Sequence, residues 1–219
     1  MPVALVTGAS RGFGRALAED LARDGWDLVI DGRDPTALGL AAGELAAAAP
    51  SARLAAIPGD VADADHRAEL VAAARALGRL DLLVNNASVL GPSPQPTLDA
   101  YPLDVLEEVF RVNVVAPLGL VQQVLPLLIE SSGTIVDITS DAAVEGYEGW
   151  GGYGSSKAAL EQLSNVLAAE LANSGVHVYW FDPGDMRTQM HQEAFPGEDI
   201  SDRPLPHTVV PQLRRLLRG

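Results

Sequence analysis

The sequence predicts an α/β fold in which a doubly wound parallel sheet is covered by helices on both faces. Six short apolar runs alternate with segments of helical periodicity. Short, almost wholly apolar strands that alternate with helices are typical of parallel sheets, because both faces of such a sheet are buried. The polar motifs of the chain stand directly after these runs, and doubly wound sheets bind ligands at the carboxyl ends of their strands. We therefore expect six strands with a ligand site at their carboxyl ends.

The individual elements follow from local patterns. Strands are predicted for the apolar runs at residues 3–6, 28–30, 54–57, 82–84, 135–138 and 176–181. Helices are predicted at residues 15–23, 36–49, 63–77, 103–129, 153 to about 172, and 209–217. Leu17 and Leu21 set the helical spacing of the first helix, and alanine, the best helix former, dominates the second. A turn-rich loop at 88–102 and a glycine-rich loop at 146–152 separate the later elements.

The composition favours a single domain, residues 1–219, and argues against several classes of function. Acidic side chains outnumber basic ones by 29 to 15, and the net charge of −14 opposes binding to nucleic acid or to an anionic membrane. The chain has no cysteine, and hence neither disulfides nor thiolate metal sites. Its four histidines, at positions 66, 177, 191 and 207, lack ligand spacing, so we expect no metal. These features fit a cytoplasmic protein.

The most apolar region, residues 112–129, is interpreted as a buried helix rather than as a membrane span. Asn113, Gln122 and Gln123 interrupt it, and it contains two prolines. The chain opens without a basic segment followed by a long apolar run, and we therefore predict no signal peptide.

A glycine-rich turn follows the first strand, with Gly8, Gly12 and Gly14 in the sequence Thr-Gly-Ala-Ser-Arg-Gly-Phe-Gly. Glycines at this spacing allow a tight turn, a close approach of backbone N–H groups to a pyrophosphate, and close packing of the next helix, whose dipole favours the anion. The motif therefore predicts a dinucleotide site. A purely structural turn between strand and helix is the alternative.

The end of the second strand decides between NAD and NADP. An acid at this position accepts the ribose 2′-OH of NAD. If Gly32 occupies that position, Arg33 and Arg11 form a cationic clamp for the 2′-phosphate of NADP, whereas Asp31 in that position favours NAD. Two arginines beside the adenosine site of an acidic protein favour NADP, and two merely solvated arginines are the alternative.

Tyr153 and Lys157 carry the most evident chemistry of the chain. They stand four positions apart in a helical segment and therefore share one face. Because a nearby ammonium favours the phenolate, we expect Lys157 to lower the pKa of Tyr153 from about 10 and to make it a usable general acid.

Asn113 lies in an apolar stretch and must find hydrogen bonds, as a satisfied core amide would. Asp60 and Val61 are candidates for contact with an adenine, although an Asp before a helix is usually a cap.

Taken together, these motifs resemble the short-chain dehydrogenases/reductases of the smaller, single-domain kind. The chain carries Thr7-Gly-x-x-x-Gly-x-Gly14, Asn85-Asn-Ala, Asn113, Ser140, Tyr153-x-x-x-Lys157 and Pro183-Gly184 with Thr188, in order and at the family's spacing. The match covers residues 1 to about 190. The resemblance implies a Rossmann fold and an oxidoreductase that uses a nicotinamide cofactor.

The resemblance also implies a catalytic tetrad of Asn113, Ser140, Tyr153 and Lys157. In such a tetrad Ser140 donates a hydrogen bond to the substrate carbonyl, and Tyr153 protonates its oxygen as hydride arrives from the nicotinamide. Lys157 lowers the pKa of Tyr153 and binds the ribose, while Asn113 shapes its helix to hold a water that links Lys157 to solvent. The residues implied in cofactor binding are Gly8, Ser10, Arg11, Gly12, Phe13, Gly14, Arg33, Asp60, Val61, Asn86, Ala87, Tyr153, Lys157, Pro183, Gly184, Met186 and Thr188.

Three features depart from the family pattern. Ser88 replaces the last glycine of the usual Asn-Asn-Ala-Gly, which should leave cofactor binding intact. Asp141 follows Ser140 where small apolar residues are common; it either opposes an anionic substrate or points to water. The sequence stops at Gly219, before the seventh strand of its relatives, so we expect six strands, with a truncated sequence as the alternative. The missing strand often supports a second interface, and a homodimer through the long helix and the Tyr153 helix is therefore favoured over a tetramer.

The expected activity is the NADPH-dependent reduction of a ketone or aldehyde of an apolar or aromatic small molecule. Candidate pocket residues are Asp141, Tyr147, Trp150, Trp180 and Phe195; among them Trp150 is best placed, and Trp180 is expected in the core. Residues 189–206 are interpreted as a mobile lid whose four acids disfavour carboxylate or phosphate substrates. A cofactor-sensing regulator with little catalysis and an NAD-dependent alcohol dehydrogenase are the alternatives.

Overall fold

The strands form one parallel sheet in a computed structural model that describes residues 1–217. Within these residues the six strands are β1 (Val3–Val6), β2 (Asp27–Gly32), β3 (Leu54–Pro58), β4 (Leu82–Asn85), β5 (Thr134–Ile138) and β6 (His177–Phe181). They lie in the order β3-β2-β1-β4-β5-β6, and every neighbouring pair is parallel. The predicted doubly wound α/β fold with six strands is confirmed.

Helices cover both faces of this sheet. They are α1 (Gly12–Arg23), α2 (Pro35–Ala48), α3 (Ala64–Leu77), α4 (Leu103–Phe110), α5 (Ala116–Ser131), α6 (Gly151–Glu170), α7 (Gln189–Ala194) and α8 (Pro206–Leu216). On one face, α1, α2 and α8 bury leucines such as Leu17 and Leu213 against the strands. On the other, α3 and α5 bury Leu70 and Leu120. With both faces covered, the strands need apolar side chains in both directions, which is why they appear in the sequence as continuous apolar runs.

The strand order reverses between β1 and β4, and this reversal positions the ligand site. From β1 the chain moves outward to β2 and β3, and then returns to place β4 on the other side of β1. The connections after β1 and β4 therefore diverge and leave a crevice at the carboxyl ends of these two strands. The glycine-rich turn follows β1, and the Asn85-Asn-Ala motif begins at the last residue of β4.

The long helical tract contains an interruption that the sequence pattern did not predict. It was expected as one helix at 103–129, but it consists of α4, a π-helical turn at Arg111–Val115, and α5. Such turns are rare and are frequent at functional sites. Asn113 lies in this turn and is buried. Leu103–Ser131 is long and apolar enough to cross a membrane, but half of its most apolar window is buried inside the fold, as in the core helix of a globular domain.

Two expectations about the last third of the chain need revision. Trp180 was predicted in the core, but it is 45% exposed because β6 lies at the edge of the described sheet. Its indole Nε1 donates a hydrogen bond to Asn165 Oδ1 at 3.2 Å. The segment 189–206, interpreted as a loop, begins with the short helix α7, and the Thr188 hydroxyl caps this helix by accepting the His191 N–H at 3.1 Å.

Candidate active site

A cleft of about 1140 Å³ lies at the carboxyl ends of the strands. Most of the residues singled out from the sequence line it. They are Gly8, Ser10, Arg11, Gly12, Phe13, Arg33, Asp60, Val61, Asn86, Ala87, Ser140, Asp141, Trp150, Tyr153, Lys157, Pro183, Gly184, Met186 and Thr188. Gly14, Asn113 and Phe195 are not among the residues that line it. The fold thus brings together residues from six separate connections, which is what the carboxyl ends of parallel strands should do.

The loops after β1 and β4 are joined through Thr7 and Asn86. The Thr7 hydroxyl accepts the N–H groups of Asn86 and Ala87, both at 3.0 Å. The Asn86 side-chain amide donates to the Thr7 carbonyl at 2.8 Å and to the Gly8 carbonyl at 3.1 Å. A Cβ on Gly8 would lie 2.9 Å from the Ala87 Cα, so only glycine allows the two backbones to approach this closely. This junction fixes the shape of the glycine-rich turn.

Asp31 is buried beneath the glycine-rich turn. One of its carboxylate oxygens accepts the Gly8 N–H at 2.6 Å, and the other lies 3.1 Å from Nε2 of the buried His66. The sequence reasoning missed His66, although an acid inside an apolar strand signals that a polar partner must be buried with it. Gly32 follows, and a Cβ there would lie 3.0 Å from the Ser10 side chain. The Arg11 and Arg33 side chains are exposed at this end of the cleft.

Tyr153 and Lys157 share a face of α6, but their protonation differs from what the sequence predicted. Burial raises the pKa of Tyr153 above its ordinary value, and the charges of Asp182 and Asp141 raise it further, whereas the Ser88 and Ser140 hydroxyls lower it by hydrogen bonding. Lys157 was expected to lower this pKa, and that expectation is wrong. The Lys157 Nζ lies 5.5 Å from the centre of the Tyr153 ring and donates instead to the Ile138 carbonyl at 2.7 Å.

Lys157 is itself perturbed by its surroundings. Burial lowers its pKa to about 8, and the negative charges of Asp137, Asp182 and Glu161 oppose this shift. Asp137, which the sequence reasoning did not select, is buried in β5 and accepts hydrogen bonds from Asn85 Nδ2 at 2.7 Å and Ser164 Oγ at 2.6 Å. Burial raises the pKa of Asp137 despite these bonds. As with Asp31, the available signal was a carboxylate within an apolar run.

Ser140 follows β5 and is already engaged in hydrogen bonds. Its hydroxyl donates to Asp141 Oδ1 at 2.9 Å and accepts the Ala142 N–H at 3.2 Å. The other oxygen of Asp141 accepts the Tyr147 hydroxyl at 3.0 Å. Asp141 is exposed and lines the cleft, so its carboxylate meets solvent and also lies beside Ser140.

Asn113 satisfies its whole amide inside the protein. Its Oδ1 accepts the Ser88 hydroxyl at 3.1 Å and the Val89 N–H at 2.9 Å. Its Nδ2 donates to the Val89 carbonyl at 2.9 Å and to the Ser156 hydroxyl at 3.0 Å. Asn113 thereby joins the π-helical turn, the loop after β4 and α6, and it needs no further partner to offset its burial. Ser156 has no sequence signal beyond its place in the Tyr153 helix.

The aromatic residues are arranged around Trp150. The centre of its ring lies 5.8 Å from that of Tyr153, 5.7 Å from that of Phe195 and 6.3 Å from that of Tyr147. Trp150 lines the cleft and Phe195 supports it from behind, whereas Trp180 lies elsewhere, on β6. In the loop after β4, the Ser93 hydroxyl donates to the Glu193 carbonyl of α7 at 2.6 Å.

Two further observations concern Asp60 and the binding of a metal ion. The Asp60 carboxylate accepts the Ala62 N–H at 2.9 Å, as expected for a turn cap, and it also lines the cleft. Among residues 1–217, no three His, Asp or Glu side chains are grouped so that they could hold a metal ion.

Comparisons with known proteins agree with this geometry. A family model described as short chain dehydrogenase matches residues 2–199. The rhamnolipids biosynthesis 3-oxoacyl-(acyl-carrier-protein) reductase of Pseudomonas aeruginosa is 37% identical over 199 residues, which cover 86% of this chain and 74% of the relative. A solved structure from Pseudomonas syringae, described as a short chain dehydrogenase, has a TM-score of 0.92 and 34% identity, covering 99% of this chain and 88% of that one. Another, from Shigella flexneri and complexed with NADP, has a TM-score of 0.89 and 31% identity, covering 96% of this chain and 88% of that one.

Proposed function

The chain belongs to the short-chain dehydrogenase/reductase family of oxidoreductases, and from this premise we propose that it reduces a ketone or aldehyde of an apolar or aromatic small molecule with NADPH. One observation carries the proposal. The Tyr153 phenol and the Ser140 hydroxyl both line a cleft whose other end is formed by the glycine-rich turn. A proton donor, a hydrogen-bond donor and a dinucleotide cradle thus face one space.

The residues present fit a dinucleotide. A Cβ on Gly8 would push against the Ala87 backbone, so glycine at this position keeps the turn closed against the loop after β4, and the N-terminus of α1 would face the pyrophosphate. Lys157 would hold the ribose hydroxyls, and Pro183, Gly184, Met186 and Thr188 would hold the carboxamide end. When bound, NADPH supplies the hydride.

The protein's own contribution is to hold and release protons. Burial keeps the Tyr153 phenol protonated at neutral pH, so it has a proton to give to the carbonyl oxygen of a substrate. The Ser140 hydroxyl would turn from Asp141 to the same oxygen and stabilise the negative charge that develops there.

NADP is favoured over NAD by the surroundings of Asp31. Its carboxylate is occupied by the Gly8 N–H and His66, so it has little capacity left for ribose hydroxyls. Gly32 brings no side chain to that position, and the exposed Arg33 and Arg11, which line the cleft, would hold a 2′-phosphate once Arg11 releases Gln189 Oε1. The NADP complex of the Shigella flexneri relative supports the same choice.

Replacement of Arg33 tests the cofactor preference. A hydrogen bond to a charged group contributes about 1.5–3 kcal/mol, so Arg33→Ala should weaken NADPH binding by roughly 10- to 100-fold and leave NADH binding unchanged. Arg23→Ala, on the same protein but in an exposed pair with Glu19, serves as the control. Unchanged NADPH affinity in Arg33→Ala would favour the NAD-dependent alcohol dehydrogenase instead.

The wall of the cleft supports an apolar or aromatic substrate. Leu90, Val105, Val109 and Trp150 line it near the reacting groups, and the carboxylates of Asp141 and Asp182 oppose an anionic compound. We expect turnover of aromatic ketones to exceed that of ketones that carry a carboxylate.

Tyr153→Phe tests the catalytic role itself. Loss of a general acid lowers kcat by about 10²- to 10⁴-fold, whereas NADPH binding, followed by nicotinamide fluorescence, should persist. Tyr179→Phe on β6 is the matched control, because Tyr179 lies outside the cleft. NADPH binding without turnover of any ketone or aldehyde by the wild type would support the cofactor-sensing regulator.

A homodimer is proposed through the long helical tract and α6. Val115 and Ile129 on that tract are 58% and 44% exposed, and Val166 on α6 is 43% exposed, so apolar side chains are available on both elements. Val166→Glu should shift the mass in solution toward that of a monomer, as measured by analytical ultracentrifugation. Cytoplasmic localisation stays a prediction.

A further inference from the structure

A guanidinium from α3 holds the turn that follows β3. The Arg67 Nη1 donates to the Val61 carbonyl at 2.8 Å. The N–H of the same peptide group, which belongs to Ala62, donates to the Asp60 carboxylate at 2.9 Å. This peptide group is therefore held at both ends, and its bond to Asp60 also sets the direction of that carboxylate. Asp60 and Val61 line the cleft, whereas Arg67 does not.

The packing beneath Arg67 is unfavourable in two respects. Gly119 lies in α5, which continues directly from the π-helical turn, and glycine inside a helix is less stable than alanine. A Cβ on Gly119 would lie 3.1 Å from Arg67 Nε and 3.2 Å from Nη2, so the glycine makes room for the guanidinium. The Nε is buried and has no hydrogen-bond partner among residues 1–217, which is also costly. Local costs of this kind are typical of functional sites, and the contact that they preserve is the one from Nη1 to Val61.

The turn needs such support because its side chains do not fix its backbone. The Val61 side chain is buried with Val112 and Ala116, which anchors one side of the turn. The peptide group after Val61 can still rotate about its two flanking bonds while that side chain stays in place. A rotated peptide would turn its N–H away from Asp60 and release the carboxylate. The bond from Arg67 to the carbonyl opposes this rotation.

We propose that Arg67 is a positioning residue for the adenine of the dinucleotide: it orients the peptide after Val61 so that the Asp60 carboxylate faces the amino group of the base. An ionised carboxylate only accepts hydrogen bonds, and the amino group of adenine is a donor that hypoxanthine lacks. This role rests on the dinucleotide site of the proposed function. It is independent of the carbonyl substrate and of the choice between NADP and NAD.

The test compares the binding of NADPH with that of its analogue in which hypoxanthine replaces adenine, each followed by nicotinamide fluorescence. A hydrogen bond to a charged acceptor that only adenine can make should favour NADPH by about tenfold or more in the wild type. Arg67→Met fills the same space without a donor and should reduce this preference to about threefold or less, through weaker binding of NADPH. Arg67→Lys, whose ammonium can still donate to the Val61 carbonyl, should keep most of the preference.

Gly119→Ala displaces the guanidinium while leaving Arg67 in the sequence. Because alanine favours the helix, this variant should fold, and it carries the test if Arg67→Met does not. We expect it to lower the preference for adenine as well. Gly43→Ala in α2 is the matched control, since nothing in the described part of the chain lies within 4 Å of the new Cβ. It should keep the wild-type preference.

The preference for adenine separates positioning from a purely structural role. A structural role for Arg67 would lower stability in urea and weaken the binding of both dinucleotides equally. An unchanged preference in Arg67→Met and Gly119→Ala would overturn the proposal, as would a wild type that binds both dinucleotides with equal affinity. For a protein that prefers NAD, the same comparison is made with NADH and its hypoxanthine analogue.

The outcomes also separate this proposal from the proposed function. A wild type that binds the dinucleotide but reduces no ketone or aldehyde would refute the proposed function alone. Loss of the adenine preference in Arg67→Met would still uphold the role of Arg67. A wild type that binds neither NADPH nor NADH would overturn both.

Discussion

Replacement of Gly14 by alanine tests the packing that supports the glycine-rich turn. A Cβ at this position would lie 2.4 Å from Asn86 Nδ2 and 2.8 Å from the Gly8 carbonyl oxygen. The Asn86 amide would have to move, and its hydrogen bonds to Thr7 and Gly8 would weaken. Overpacking costs about 1–3 kcal/mol and each lost hydrogen bond about 1, while alanine recovers about 1 kcal/mol of helix propensity. We expect the free energy of unfolding to fall by about 2–4 kcal/mol.

Urea denaturation measures this loss, and fluorescence titration with NADPH measures its effect on the site. Because Asn86 and Gly8 shape the cradle, NADPH affinity should fall by about tenfold or more, which corresponds to about 1.4 kcal/mol. Gly25→Ala is the control: its backbone has a φ of 82°, but nothing lies within 4 Å of the new Cβ. It should lose about 1–2 kcal/mol of stability from backbone strain alone and bind NADPH normally. A Gly14→Ala protein with wild-type stability and affinity would refute the packing argument.

Three further predictions concern the ionisable side chains in and beneath the cleft. His66→Ala leaves the buried Asp31 with a single partner, so urea denaturation should show a loss of about 3 kcal/mol, and unchanged stability would contradict the pairing. Asp141→Asn removes a negative charge beside the reacting groups, and the kcat/KM for a carboxylate-bearing ketone should rise about tenfold relative to that for a neutral one. The Lys157 pKa is about 8 against an ordinary 10.5, so its burial cost is present below about pH 8 and is relieved as the pH rises to 10.5. Lys157→Met should accordingly be more stable than the wild type at pH 7 by up to about 3 kcal/mol, and this advantage should shrink toward pH 10.

The sequence allowed the fold to be predicted because its local signals agree with one another. The strands β1 and β4 are wholly buried and are apolar except for Asn85, the last residue of β4, and the polar motifs stand at or after the ends of strands. The motifs at Gly8 and Tyr153 lie within single segments, so their spacing could be interpreted without knowing the fold. The same logic failed at Trp180. Its burial depends on whether another element covers β6, and that cannot be inferred from the strand's own residues.

The interactions of the site were harder to predict because they join residues distant in sequence. Asp31 pairs with His66 and Asn113 with Ser156, at separations of 35 and 43 residues. The sequence pattern indicated that Asn113 needed hydrogen-bond partners but did not identify them, and Asp31 was considered only as a cofactor-selecting residue. The π-helical turn at Asn113 is similarly invisible to helical periodicity, because the flanking helices keep their apolar faces.

The pKa of Tyr153 was predicted in the wrong direction for the same reason, and this bears on the role of Tyr153 as an acid. Adjacency on a helix brought the ammonium within 5.5 Å of the ring centre, but it could not reveal that burial and the charges of Asp182 and Asp141 raise the pKa of the phenol. Both side chains are therefore protonated at neutral pH. Tyr153 is a neutral phenol, and Lys157, whose pKa is about 8, is an ammonium. Carbonyl reduction takes a proton from the phenol, whereas alcohol oxidation needs the side chain in its deprotonated form, the phenolate. If the chain reduces a carbonyl compound as proposed, the protonated phenol can serve as the acid at neutral pH, and alcohol oxidation should require a higher pH.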